Sequence, residues 1–197
     1  MKNGKKGFAI ILCSALCVFL AACGAGSSDQ PDRAYPVKIG DAEIIVGQTQ
    51  LSALYDIGCS VEVTVGGAEE GSEYWRTAML SQDMVLAEKS IYTDFYIIKD
   101  GVKQAAVDVT IDEPSTLADA TISDIRLNTS ISPTEYITFD GVALADLTQM
   151  AFLNTVAESV AAEGEKAAAY IGENYTVKAS WNDDGSLATL EMAKNHR

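Results

Sequence analysis

The sequence predicts an α+β fold, in which antiparallel sheet hairpins carry one short and one longer helix packed on the sheet. Three observations lead there. Glycine turns, such as Asp100-Gly101 and Asn182-Asp183-Asp184-Gly185, separate runs of apolar residues. Within those runs the apolar positions alternate, which is the period of a half-buried strand. Residues 144–160 instead place Leu144, Leu147, Met150 or Ala151, Phe152 or Leu153 and Val156 at three- and four-residue spacing, which is one face of a helix.

In chain order, residues 37–46 alternate around the Gly40-Asp41 turn and read as a short hairpin. Thr49 is placed to cap a helix over 50–57, with Leu51, Leu54 and Tyr55 on one side and Gly58 as its left-handed stop. Residues 60–65 put Val61, Val63 and Val65 on one face of a strand, and 66–72 are Gly-rich loop. Residues 90–99 and 102–111 flank Asp100-Gly101, a strong hairpin signal, with Val107, Val109 and Ile111 on one face. Asp112-Glu113-Pro114 ends that hairpin, because proline cannot continue a central strand. Residues 120–127 read as a further strand and 136–139 as a short one ending in Asp140-Gly141. The helix over 144–160 follows, with a second helical stretch at 165–171. Residues 175–181 and 186–193 form the last hairpin. Strand, glycine turn, helix, strand thus occurs at 37–65 and again at 136–181, which reads as two small related modules over 37–132 and 133–197.

The first 36 residues are of another kind. Lys2, Lys5 and Lys6 precede an uncharged run over 8–20, and Ala21-Ala22 lead into Cys23. A basic start, a short apolar run and small residues before a cut describe a secretory signal peptide, residues 1–22. The run is too short for the roughly 20 residues that a spanning helix needs. Leu20-Ala21-Ala22-Cys23 resembles the lipobox of bacterial lipoproteins. The resemblance implies a diacylglyceryl group on Cys23, a palmitate-type acylation that puts two chains into the cell membrane, enough for stable anchoring. Residues 23–36 are small and polar with two prolines, and are expected to be a flexible tether.

Composition narrows the function. The signal holds three of the 14 basic residues and none of the 28 acidic ones, so the remaining 175 residues carry a net charge of −17. Nucleic-acid binding needs a basic surface and is excluded as a partner class. Cys13 and Cys17 leave with the signal and Cys23 is lipidated, so Cys59 remains unpaired and reads as a small buried apolar residue. His196, the single histidine, stands beside the C-terminus. Histidine-dependent catalytic triads and zinc sites therefore have no basis, and no catalytic residue, cofactor or metal is expected.

Three groups remain as candidates. Asp183-Asp184-Gly185 has the look of a calcium loop but lacks the spread of ligands over 12 residues, and reads as a turn. Glu69, Glu70 and Glu73 lie in the Gly-rich loop, where nothing holds two carboxylates in catalytic register. Trp75, Tyr92, Tyr96 and Phe95 concentrate aromatic surface. Strict alternation puts Tyr92 and Tyr96 on one face and Phe95 on the other, so Tyr92, Tyr96 and Trp75 are the binding candidates.

Segments 45–58 (IVGQTQLSALYDIG), 137–148 (ITFDGVALADLT) and 175–192 (YTVKASWNDDGSLATLEM) carry a wider resemblance. Through them the chain from about residue 37 onward resembles small lipoproteins of Gram-positive bacteria with no assigned function. The later two are also similar to the helix-plus-sheet modules of β-lactamase-inhibitor-like and outer-membrane-assembly-lipoprotein-like folds. The resemblance implies a binding or scaffold module and carries over no functional residue. The expectation is a non-catalytic, membrane-anchored extracytoplasmic lipoprotein with a protein or cell-envelope partner. The alternatives are a carboxylate-dependent envelope hydrolase and a small solute-binding subunit.

Overall fold

Alternation governs most of the chain, and the strands it makes assemble into three antiparallel sheets in the computed structural model, which describes residues 32–65, 76–156 and 160–195. The first half supplies β1 (Val37–Ile39), β2 (Ala42–Ile44), helix α1 (Ser52–Tyr55), β3 (Ser60–Val65), β4 (Arg76–Leu80), β5 (Val85–Leu86), β6 (Ser90–Lys99), β7 (Val102–Ile111), β8 (Ser115–Thr116) and β9 (Thr121–Asn128). The second supplies β10 (Ile137–Phe139), β11 (Val142–Ala143), helix α2 (Gln149–Val156), β12 (Val160–Gly164), β13 (Ala167–Ile171), β14 (Tyr175–Trp181) and β15 (Leu187–Lys194). A nine-stranded sheet runs β12-β13-β14-β15-β9-β7-β6-β3-β4, a four-stranded sheet runs β11-β10-β1-β2, and β5 pairs with β8.

This corrects the α+β expectation. The described chain is predominantly β, and α2, at eight residues, is its one helix of more than a single turn. Part of the stretch over 144–160 is a 3₁₀ turn at Leu144–Asp146, and its end is β12. Residues 165–171, expected to be helical, form the β12–β13 turn and β13 itself. Alanine favours helices, yet Ala168 and Tyr170 are buried while Ala167 and Ile171 are exposed, so the period is two. Pairing on both edges, with β12 and β14, outweighs local propensity.

The Thr49 side chain does not cap α1; its Oγ1 accepts a bond from Ile45 N at 2.9 Å and so closes the turn before the helix. Gly58 does take the left-handed conformation, at φ +80°, and lets Cys59 N reach Leu54 O at 3.0 Å. Cys59 is a buried free thiol in the core, and burial pushes its pKa up.

The expected tether ends sooner than residue 36. Tyr35 is buried and its hydroxyl donates to Val156 O at 3.2 Å. Arg33 grips Asp140 with two bonds at 2.8 and 3.2 Å, and Asp32 accepts from the Tyr170 hydroxyl and from Asn174. Residues 32–36 are a packed strap.

One core lies between the small sheet with its helices and the inner face of the large sheet. Phe139 of β10 stacks on Phe152 of α2 with centroids 6.0 Å apart, and Phe152 meets Trp181 of β14 edge-on at 5.6 Å. The Trp181 indole donates to Leu147 O at 2.9 Å, so its one polar atom is satisfied in the interior. The first strands of the two halves, β1 and β10, pair in the small sheet, and the last strands, β9 and β15, pair in the large one. The halves on either side of residue 132 are joined through both sheets.

Candidate functional site

Residues directly opposite each other in neighbouring strands point to the same face. The registers therefore trace one row across the outer face of the large sheet: Met79, Glu62, Tyr96, Ala106, Arg126, Glu191, Lys178 and Ala169. None of the described elements covers this face. Where Ala106, Ala167 and Ala169 supply no bulk, the face opens into a groove of about 850 Å³, walled by Asp94, Tyr96, Arg126, Ile131, Lys178 and Glu191 among others. Four of the molecule's exposed large apolar side chains, Met79, Ile91, Ile131 and Ile171, lie on or beside this face.

At the centre stands Arg126 of β9, one guanidinium among three carboxylates. Its Nη2 donates to Asp108 Oδ1 at 2.6 Å and more loosely to Asp94 Oδ1 at 3.4 Å. Its Nε lies 3.4 Å from Asp124 Oδ1. That last contact is an ion pair without hydrogen-bond geometry, since Asp124 Oδ1 is buried and receives no hydrogen bond. Asp108 and Asp124 face each other across β7 and β9. Burial is the largest effect on Asp124 and raises its pKa. Arg126 works against that, Asp108 and Glu191 add to it, and the carboxyl is pushed up to about 7. Asp124 stays high beside a cation because the short bond of that cation goes to Asp108. Lys178 and Glu191 complete the row with a 3.1 Å pair on β14 and β15.

Asp94 reaches Arg126 through a bulge in β6. Tyr92 pairs with Val109 and Phe95 with Val107, so Thr93 and Asp94 together oppose Asp108 alone. Asp94 takes φ +62°, and its N–H donates to Asp108 Oδ1 at 3.1 Å.

The bulge corrects the expected facing of the aromatic candidates. Val107 and Val109 both point into the core, so Tyr92 shares the inner face with Phe95 and packs on the core, its hydroxyl donating to Glu88 O at 3.0 Å. Tyr96 lies on the outer face and walls the groove, with Lys103 Nζ 3.8 Å above its ring. Trp75 and Cys23 lie outside the described residues, as do Glu69, Glu70 and Glu73. Asp183-Asp184-Gly185 is a hairpin turn: Asp184 Oδ1 accepts from Ser186 N and Oγ, and Gly185 takes φ +84°. Among the described residues no three His, Cys, Asp or Glu side chains are grouped to hold a metal ion, and no described helix is long and apolar enough to cross a membrane.

Sequence reasoning missed Arg126, Asp94, Asp108, Asp124, Lys178 and Glu191. For all of these but Asp94, which sits in the β6 bulge, the available signal was their alternation with the buried positions of β7, β9, β14 and β15. What gathers them is strand order, which no local pattern states. No family model matches the chain, and none of the curated proteins or solved structures compared with it does either.

Proposed function

We propose that the protein is a membrane-anchored extracytoplasmic lipoprotein, held by lipid on Cys23, that acts as a non-catalytic binding module through the outer face of its large sheet. The observation that carries the binding half is the groove itself: an uncovered sheet face with an alanine floor, apolar side chains around it and charges held in fixed pairs. Uncovered faces that combine apolar surface with fixed polar groups suit protein partners. The membrane half is supported by Lys2, Lys5 and Lys6, the apolar run over 8–20 and the Leu20-Ala21-Ala22-Cys23 tetrad. Palmitate-analogue labelling that is lost in Cys23→Ala tests the anchor.

Site-specific photocrosslinking in intact cells tests the face. A photoreactive residue at Tyr96 or Ala169 is expected to trap a discrete envelope partner, and one at Val85 or Met150, both exposed away from the groove, is not. Equal adducts from all four positions overturn the assignment.

The carboxylate hydrolase is kept as a second reading on one observation, the opposed Asp108 and Asp124 with Asp124 near 7. A carboxyl with a raised pKa opposite a second carboxyl is an arrangement acid–base catalysis uses. Against it, neither residue walls the groove, and Asp124 Oδ1 is buried. Turnover of envelope glycans or peptides by the wild-type protein, abolished in Asp124→Asn, would establish this reading in place of the first.

A further inference from the structure

Arg126 serves three carboxylates unequally, and the inequality has a mechanical consequence. Nη2 is committed to Asp108 at 2.6 Å. The other two contacts both stand at 3.4 Å, to Asp94 as a hydrogen bond at its outer limit and to Asp124 as an ion pair without hydrogen-bond geometry, whereas a charge-assisted pair relaxes to about 2.8 Å. The guanidinium cannot shorten both, because Asp94 approaches from β6 and Asp124 from its own strand, β9. Asp94 is the looser partner: its side chain is 71% exposed against 13% for Asp124. Its backbone also sits in the left-handed region, which aspartate adopts more readily than most residues with a side chain, and the Arg126 pair and the N–H bond to Asp108 fix it there.

We propose that Arg126 is a proton-controlled clasp on the groove wall. With Asp124 protonated, the guanidinium holds Asp94 and with it the β6 bulge next to Tyr96. With Asp124 ionised, the guanidinium draws toward Asp124 by roughly half an ångström, which is enough to break a contact already at 3.4 Å and release the bulge. The charged groups facing Asp124 are Asp108 from β7, Glu191 from β15, Lys178 from β14 and Arg126 on β9 itself. Burial above all, then Asp108 and Glu191, oppose its ionisation, and Arg126 and Lys178 favour it, which leaves the carboxyl pushed up to about 7. The inference rests on the groove being the binding face and assigns that face a regulation by pH.

Nuclear magnetic resonance of the ¹⁵N-labelled full chain over pH 5.5–8.5 tests it, in a His196→Gln background that removes the one histidine. The amides of Thr93, Asp94 and Phe95 are expected to shift together with a midpoint near 7. Asp124→Asn should hold them at their low-pH positions throughout. Asp94→Asn should abolish the bulge response while leaving the titration of Asp124 in place. A step near 7 that persists in Asp124→Asn, or bulge amides that show no step, overturns the clasp. The two readings fail separately: absence of groove crosslinks at every pH with the amide step intact removes the binding face and leaves the clasp, and pH-independent crosslinks without the step do the reverse.

Discussion

Asp124 shows how much one side chain can carry in a predominantly β fold. Its carboxyl stands near 7 in the fold against an ordinary value of 3.8, so between those limits the folded chain binds more protons than the unfolded one. Such a group contributes its full stability below about pH 4, and that contribution is lost as the pH rises through about 7. Asp124→Asn is therefore expected to stabilise the protein at pH 8 by about 2 kcal/mol, less than the full shift would allow because Arg126 is shared, and to change little at pH 4. Urea unfolding at the two pH values measures this, and equal effects at both would contradict it. In the core the opposite holds, because there the polar atom is satisfied. Trp181→Phe leaves the Leu147 carbonyl without its donor, and a loss of about 1–3 kcal/mol is expected. Phe152→Ala empties the centre of the aromatic stack at a cost of about 3–5 kcal/mol. Thermal denaturation of the two variants should rank them in that order.

At the scale of elements, β13 decides whether tertiary pairing or local propensity wins. Ala168 faces the core and Ala167 faces solvent. Ala168→Glu would bury a charge and is expected to cost more than about 3 kcal/mol. Ala167→Glu should fall within about 0.5 kcal/mol of wild type. Similar effects at both positions would rule out the strand assignment. The β6 bulge is the second element that departs from simple periodicity. By inserting one residue it turns Tyr92 inward, leaves Tyr96 outward and carries Asp94 to Arg126.

For the molecule as a whole, the consequence lies in where the two halves meet. β1 with β10 and β9 with β15 are ladders shared between them, and the core residues form a single cluster. Separating the halves would bare two strand edges on each of them and the face of the aromatic stack, which invites aggregation. The protein is expected to unfold in one calorimetric transition, and a chain truncated after residue 132 to be insoluble. Two resolved transitions, or a folded truncated chain, would show that the halves are independent.

Much of this is legible in the sequence. Hairpins at Asp100-Gly101 and at 182–185, the end of a hairpin at Pro114, the helix stop at Gly58, and the inward faces of β7 and β9 follow from local steric and burial patterns, which a sequence states directly. The prediction of a helix over 165–171 failed because alanine's preference is small per residue, while two flanking ladders act on every residue of β13 at once. Alternation misplaced Tyr92 because a bulge changes the count without marking it in composition. The sequence by itself determined the polar and apolar faces of most strands and a strongly acidic surface. Only the tertiary structure decided which polar faces lie side by side. The carboxylates of β6, β7 and β9 gather around Arg126 through strand order and register, which depend on contacts between residues up to 32 positions apart, and no local pattern encodes them.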